Sequence, residues 1–453
     1  IIHKNKNNSI FNPIKENTSL INICQRPFNF IKSTIILIIG GFISKILGMV
    51  IKIVLTRSIG EDGISLYMLV LPTFNLFITL STLGLSPAIS KIISEQKRKS
   101  KKVILSLIPL VIIYNIVLII ILLLISPILS KYLLQNNDTY YPIISIGLTL
   151  PFICISSIIK GYYFGKEKMF PLTLSNIIEQ LVRLLLTYLY IPNLLNFGLI
   201  KAICGVVLIN VISEFTSIII LLLFLPKEEN IIKEDYKIDK VILKDVLNIS
   251  IPSTGSRFIG SLVYFFEPII LTFCLTRCGY SNGYITKEYG IINGYVYPLL
   301  LMPSFFTMAI SNAILPVISN SYSNRRISYA KKKLKQAISF SLLIGIPFTL
   351  LFMFIPNVFL KFIYNTSSGV NYIRVIAPFF LLHYIQAPLT SCMQAINRAK
   401  EAMYGTLFGS VIKTVILVIL SFTKIGLWGF IISSIINIIF VTIHHLWYVL
   451  KSL

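Results

Sequence analysis

The sequence is short of charged residues, and of acidic residues above all. Only 13% of its 453 residues are charged, about half the usual share in soluble proteins. Lys and Arg number 41 against 17 Asp and Glu, which gives a formal net charge of +24. This composition excludes an ordinary soluble enzyme. We also expect no nucleic-acid partner, because the cations are not interleaved with aromatic residues on a soluble module.

The sequence also lacks residue groups that bind metals or carry out catalysis. Cys274 and Cys278 are four residues apart, but no His or second Cys pair completes a metal site. The adjacent His444 and His445 show no further ligand spacing. A membrane-embedded glycosyltransferase would need paired carboxylates on the outer side, where Asp138 stands alone. We therefore expect no metal, no cofactor and no enzymatic activity.

Long apolar runs dominate what is present. Hydrophobic residues make up 55% of the chain, and the mean hydropathy is +0.81. Twelve runs are each long enough to cross about 30 Å of hydrocarbon as a helix. They lie near residues 33–56, 65–90, 103–126, 141–162, 172–190, 199–225, 248–276, 290–320, 336–362, 372–394, 402–422 and 425–449. The predicted fold is an all-α polytopic membrane protein.

The cations at the chain ends, in the loops and at the loop edges fall mainly on one side of the predicted topology. The chain ends and the even-numbered loops carry 28 Lys and Arg, and the opposite loops carry five. Because cytoplasmic loops are enriched in Lys and Arg, both termini are predicted to be cytoplasmic. Anionic lipid headgroups are expected partners of these loops.

Two short strings recur, which indicates a duplicated half. Residues 86–90 (SPAIS) return at 315–319 (LPVIS), and residues 166–169 (KEKM) return at 400–403 (KEAM). Six spans separate the copies, so the halves have parallel topology. We predict a disordered cytoplasmic tail (1–32), an N-terminal six-helix lobe (33–225), a charged cytoplasmic linker (226–245) and a C-terminal six-helix lobe (246–453). Two pseudo-symmetric bundles around a midplane site are typical of transporters.

Charged side chains inside the spans are the candidate site residues. Each would cost about 3 kcal/mol if it faced lipid, so we expect them to face water or one another. Gly41, Lys45, Gly48 and Lys52 step by four, three and four residues, which places them on one helix face. Neither lysine has an acidic neighbour in sequence. An anionic ligand is therefore their predicted partner.

A second polar stripe is predicted on the seventh span. Ser253, Arg257, Gly260, Tyr264 and Glu267 recur at helical spacing and share one face. Arg257 also lacks an acidic neighbour in sequence. We predict that Arg257, Tyr264 and Glu267 contact the substrate.

Four further charges are predicted to form ion pairs or to couple transport. Glu179 and Arg183 are four residues apart and can pair on one helix, either as an internal ion pair or as a ligand site. Glu214 and Lys413 are expected to bridge helices between the bundles. By the repeat offset of 234 residues, Lys413 corresponds to Glu179.

Several strings resemble the stage V sporulation protein B and polysaccharide biosynthesis flippases of the MOP (MATE-like) superfamily, which are related to lipid II flippases. The strings are Gly41–Gly48, Arg57–Gly60, Leu80–Lys91, Gly161–Lys166, Ile178–Arg183 and Phe266–Ile269. The resemblance implies two bundles in a V that move an undecaprenyl-linked sugar precursor across the plasma membrane by alternating access. For this subgroup it implies the peptidoglycan lipid precursor of the spore cortex. It also implies that Lys45 lines the central cavity and that Arg57 is a further site cation.

Two other functions within the superfamily stay open on the sequence. One is a cation- or proton-coupled multidrug exporter, for which Glu179 and Glu214 would supply the coupling acids. The other is a flippase for a different lipid-linked polysaccharide unit. In each case we expect a monomer.

Overall fold

The computed structural model describes residues 13–95, 100–226 and 240–453. This part of the chain contains helices and no strands, as predicted. The α-helices are α1 (Pro13–Thr82), α2 (Leu85–Ser94), α3 (Ser100–Ile128), α4 (Tyr140–Gly165), α5 (Met169–Leu195), α6 (Leu199–Leu223), α7 (Lys240–Arg277), α8 (Asn282–Ile291), α9 (Tyr297–Leu301), α10 (Ser304–Ser323), α11 (Ile327–Phe354), α12 (Pro356–Tyr364), α13 (Val370–Ala395), α14 (Ala399–Ser421) and α15 (Trp428–Ser452). Two π-helical turns (Leu129–Leu133 and Ile292–Val296) and a 3₁₀ turn (Asn137–Thr139) complete the order.

Helix α1 contains the first two spans. The apolar stretch 36–94 has 59 residues, about 88 Å as a straight helix, which is far longer than the hydrocarbon core. Gly60 breaks it with φ 67° and ψ −169°, a conformation that glycine adopts without a Cβ clash. We call residues 13–59 the first segment of α1 and residues 61–82 its second segment.

The start of α1 differs from the sequence prediction. The helix begins at Pro13, inside the segment 1–32 that was expected to be a disordered tail, and residues 1–12 lie outside the described residues. The linker predicted at 226–245 lies partly outside the described residues, and α7 already begins at Lys240.

Twelve crossings follow from the described helices. The two segments of α1 are two of them, and α8 to α10 form one broken span with a bend of 50°. That bend lies at Pro303, where proline lacks the backbone N–H that an unbroken helix would use. The ninth span ends earlier than expected, because Pro356 begins the separate short helix α12 after Phe354.

The twelve spans form two bundles of six spans each, with matching local construction. In each bundle a three-residue turn joins the fourth and fifth spans. The middle residue of each turn has a positive φ angle. These residues are Glu167 (φ 56°) between α4 and α5, and Asn397 (φ 63°) between α13 and α14. They are 230 residues apart, within the offsets of the sequence repeat. The agreement supports the duplication.

The bundles meet at the predicted outer side. Ile64 and Met68 from the second segment of α1 share a buried apolar cluster with Tyr289 and Val296 from the C-terminal bundle. In the same contact, a Cβ on Gly290 would overlap the backbone of Ser65. Because the contact is apolar and closely packed, it closes the outer side.

The predicted cytoplasmic side is open by comparison. A Cβ added at Gly41, Gly48 or Gly260 would meet no atom within 4 Å. Gly48 lines the space between the bundles, and Gly41 lies on the same helix face. The start of helix α7 contacts the N-terminal bundle in this half, since Ser250 donates to the carbonyl of Leu83. The gap therefore opens toward the predicted cytoplasm.

Candidate functional site

A cavity of about 530 Å³ lies between the two bundles. Its wall is formed by both segments of α1, by helices α7, α9, α10 and α14, and by the π-helical turn Ile292–Val296. The polar lining residues are Lys45, Lys52, Tyr264, Glu267, Asn293, Tyr297 and Lys413. The rest of the wall includes Met, Leu, Pro and Phe side chains. Four of the six residues predicted to contact substrate thus line one cavity.

Lys45 and Lys52 lie on the cavity face of the first segment of α1. The Nζ atom of Lys45 is 3.1 Å from the Sδ atom of Met308, and a thioether is a weak acceptor. Lys52 donates to the backbone carbonyl of Asn293, 3.2 Å away in the π-helical turn. Among the described residues, no carboxylate lies within 4 Å of either ammonium group. Their charge is therefore not neutralised by a described side chain.

Glu267, the acidic residue of the cavity wall, is already paired. Its Oε2 atom accepts from Lys413 at 2.6 Å, and its Oε1 atom accepts from the hydroxyl of Tyr289 at 3.4 Å. Lys413 also lies 4.7 Å from the ring centre of Phe430. This pair joins α7 to α14 within the C-terminal bundle, so Lys413 does not bridge the two bundles as expected. The described cavity wall carries three ammonium groups and one carboxylate.

Arg57, which the resemblance implies to be a further site cation, does not line this cavity. Its Nε atom donates to the carbonyl of Ile363 at 2.7 Å, and its guanidinium also binds the carbonyl of Phe362. Both carbonyls belong to the last turn of α12, where carbonyl groups lack helical partners and attract cations. Arg57 thus connects the two bundles at the outer side.

Arg257 also lies outside the 530 Å³ cavity. Its side chain is exposed, two helical turns before Tyr264 on the same face of α7. That position is on the open side of the gap between the bundles. The side chain of Ser253, which the sequence places on the same stripe, lies outside the described residues.

A buried ion cluster lies inside the N-terminal bundle. Glu179 accepts from Arg183 at 2.9 Å and from Lys160 at 3.1 Å, and Lys160 lies 3.8 Å from Glu214. Arg183 also donates to the hydroxyl of Ser213 at 3.3 Å. Glu214 therefore connects α6 to α4 inside one bundle, and not to the other bundle as expected. The cluster has two positive and two negative groups.

Lys160 is the member of this cluster that sequence reasoning missed. It stands near the predicted cytoplasmic end of the fourth span, so the charge count assigns it to the loop with Lys166. The structure instead turns it inward toward α5 and α6. The sequence does contain one signal for this role. Lys160 is a cation inside the apolar run 141–162, and each of the next two spans contains an acidic residue.

A smaller chamber of about 180 Å³ extends from the cavity into the N-terminal bundle. Its polar wall includes Lys52, Gln180, Arg183 and Asn210, and it shares Lys52 with the larger cavity. Lys52 thus lies between the 530 Å³ cavity and the buried cluster.

Comparison with known proteins identifies the family. The family described as "Polysaccharide biosynthesis protein" matches residues 30–322, and the MatE family matches residues 294–419. The chain belongs to the polysaccharide biosynthesis protein family. This family assignment confirms the resemblance noted in the sequence and places the chain among the flippases of the MOP superfamily.

Relatives and solved structures agree with this assignment. The chain is 34% identical over 428 residues to stage V sporulation protein B of Bacillus subtilis (strain 168), covering 92% of this chain and 82% of that protein. It is 23% identical over 430 residues to lipid II flippase MurJ of the same organism, covering 85% and 76%. The inward-facing structure of a multidrug resistance MATE family transporter of the MOP superfamily matches with a TM-score of 0.69 at 19% identity, covering 90% and 94%. The chain is a multi-pass membrane transporter, not an enzyme.

Proposed function

We propose that this transporter moves a polyprenyl-pyrophosphate-linked sugar precursor across the plasma membrane by alternating access. The peptidoglycan lipid precursor is the substrate that we favour, in connection with sporulation. Two relatives support this choice through their names, stage V sporulation protein B and lipid II flippase MurJ. Both chain termini lie in the cytoplasm in this proposal, since the loop cations are concentrated on that side.

The observation that carries the proposal is the positive charge of the cavity. Lys45 and Lys52 face the gap without a carboxylate partner among the described residues. A pyrophosphate group has several anionic oxygens, and charge-assisted hydrogen bonds to ammonium groups are among the strongest in proteins. The headgroup would thus bind between these lysines, and Tyr264 and Asn293 would donate to its sugars.

The same geometry argues against a cation-coupled multidrug exporter. A cationic substrate needs an accessible carboxylate, but Glu267 is bound by Lys413. The coupling acids of that alternative would be Glu179 and Glu214, and Lys160 lies within ion-pair distance of both. We therefore assign Glu179, Arg183 and Glu214 a structural role.

The two arginines at the edges of the gap have different roles in this proposal. Arg257, exposed on the open side, attracts the anionic headgroup from the cytoplasmic leaflet. Arg57 instead holds the outer side closed through α12. Transport then requires the Arg57 contacts and the Ser65–Gly290 contact to separate while the open side closes.

A flipping assay in proteoliposomes tests the proposal. The substrates compared are the lipid-linked peptidoglycan precursor, a polyprenyl-pyrophosphate carrying a different glycan, and a cationic dye. We expect the precursor to be flipped and the dye to be left in place. Lys45→Ala and Lys52→Ala should each reduce flipping at least about tenfold, because each removes one charge-assisted contact to a desolvated anion.

Lys361→Ala provides the matched control, since this exposed lysine of α12 lies outside the cavity. It should flip the precursor at the wild-type rate. Transport of the dye, or full activity in both cavity variants, would overturn the proposal. Equal flipping of the two lipid-linked glycans would retain the flippase and reject the preference for the peptidoglycan precursor.

A further inference from the structure

A second cavity lies at the edge of the N-terminal bundle, away from the gap between the bundles. It has a volume of about 700 Å³ and lies between the start of α4 and the α5–α6 turn. Its residues are Asp138, Tyr141, Leu194, Phe197, Gly198, Leu199, Ile200, Lys201, Cys204, Gly205 and Leu208. None of them lines the cavity proposed for the substrate.

The polarity of this cavity changes along the axis of α6. Lys201, Cys204 and Leu208 lie on one face of that helix, at steps of three and four residues. Leu208 is therefore about 10 Å deeper along the helix than Lys201. The charged groups lie at the end near the loops and the apolar groups lie toward the membrane interior. This is the same order of charged and apolar parts as in a membrane lipid.

The charged end carries one cation and one anion that do not neutralise each other. Lys201 and Asp138 line the same cavity, but no ion pair within 4 Å joins them or connects either one to another described residue. Lys201 lies 5.8 Å from the ring centre of Phe197. Asp138 is held in its 3₁₀ turn by its backbone N–H, which donates to the side chain of Asn136 at 3.0 Å.

Exposed aromatic rings mark the same end of the cavity as a membrane interface. Tyr141 is 62% exposed and Phe197 is 69% exposed. Aromatic side chains are enriched at the level of the lipid headgroups. The two charges therefore lie where a headgroup would lie, and the apolar wall below them lies where an acyl chain would lie.

We propose that this cavity binds a zwitterionic phospholipid with a primary ammonium headgroup, such as phosphatidylethanolamine. The phosphate binds Lys201, the ammonium group binds Asp138, and one acyl chain lies along α6 toward Leu208. Charge complementarity selects this lipid. An anionic headgroup would leave Asp138 without a cationic partner, and a quaternary ammonium has no N–H to donate to the carboxylate.

Lipid retention by the purified full-length chain tests this proposal. The protein is equilibrated in mixed micelles with equal amounts of phosphatidylethanolamine, phosphatidylglycerol and phosphatidylcholine, and bound lipid is counted by native mass spectrometry. We expect phosphatidylethanolamine to be retained about two- to fivefold over the other two, the range that exposed charge pairs provide. Equal retention of all three lipids would overturn the proposal.

Three variants separate the parts of this site. Asp138→Asn should remove the preference for phosphatidylethanolamine over phosphatidylcholine but keep phospholipid bound. Lys201→Ala should lower retention of all three lipids, and Leu208→Trp should do the same by filling the apolar end. Lys361→Ala should retain lipid as the wild type does. Wild-type selectivity in Asp138→Asn, or undiminished binding in Leu208→Trp, would reject the site.

The melting temperature of each variant, measured without added lipid, shows that it is folded. Because the assay needs no transported substrate, its outcome is independent of the flipping assay.

Discussion

Gly290 of α8 packs directly against Ser65 in the second segment of α1, and a Cβ on Gly290 would overlap the Cα atom of Ser65. The two residues belong to different bundles. Their contact therefore exists only while the outer side of the transporter is closed. Neighbouring polar contacts depend on the same closure, because Glu61 binds Lys287 at 3.1 Å and accepts from the hydroxyl of Ser368 at 2.7 Å.

Gly290→Ala should shift the transporter toward a state that is open on the outer side. Overpacking a tight contact costs about 1 to 3 kcal/mol, and this cost falls only on the closed state. Spin labels at Asp62 and Ser367, exposed in the two bundles, would report a longer mean distance by pulsed electron resonance. Gly283→Ala, also in α8, is the control because its Cβ would meet no atom within 4 Å. Unchanged distances in Gly290→Ala would contradict the prediction.

The Glu267–Lys413 pair should contribute strongly to the stability of the C-terminal bundle. Lys413→Met leaves the carboxylate of Glu267, whose side chain is 7% exposed, without its ammonium partner. Losing one member of a buried pair costs about 3 kcal/mol, and replacing both members recovers much of this loss. Thermal unfolding of Lys413→Met, Glu267→Gln and the double variant measures the coupling. If the two single losses simply add in the double variant, the pair is not coupled.

Lys160→Met should destabilise the N-terminal bundle more than the removal of any loop lysine. The substitution leaves Glu179 with Arg183 alone and leaves Glu214 without a cation within 4 Å among the described residues. We expect a loss of about 3 kcal/mol, partly restored by adding Glu214→Gln. Lys166→Met is the control, because Lys166 is exposed in the following turn. Equal melting temperatures for the two lysine variants would show that Lys160 is not essential to the cluster.

The fold was largely predictable because each span is a long apolar run with its own boundaries. The positions of the breaks inside the helices were less predictable from the sequence. The turn at Gly60 lies in the short gap between two predicted spans. Its positive φ is a backbone property, which the identity of the residue permits but does not predict. Pro356 lies inside the apolar run 336–362, although it begins the separate helix α12.

Site residues could be placed on helix faces from the sequence, but their partners could not. The helical period puts Lys45 and Lys52 on one face, and both line the cavity. It also relates Glu179 to Arg183, since those residues share a helix. The helical period cannot relate Lys413 to Glu267, because these residues are 146 positions apart and lie on different helices.

Arg57→Ala should loosen α12 without weakening substrate binding, because the guanidinium binds two carbonyls of α12 and lies outside the cavity. Hydrogen bonds from a charged donor contribute about 1.5 to 3 kcal/mol, and partial exposure of Arg57 reduces this. Amide exchange in residues 356–364 should become roughly tenfold faster, as expected for a loss of about 1.4 kcal/mol. The control is Lys131→Ala, an exposed cation at the outer side of the N-terminal bundle.

Binding of the lipid-linked precursor to Arg57→Ala should stay within about twofold of wild type, whereas Lys52→Ala should weaken it by tenfold or more. A large loss of affinity in Arg57→Ala, with unchanged exchange in α12, would return Arg57 to the substrate site.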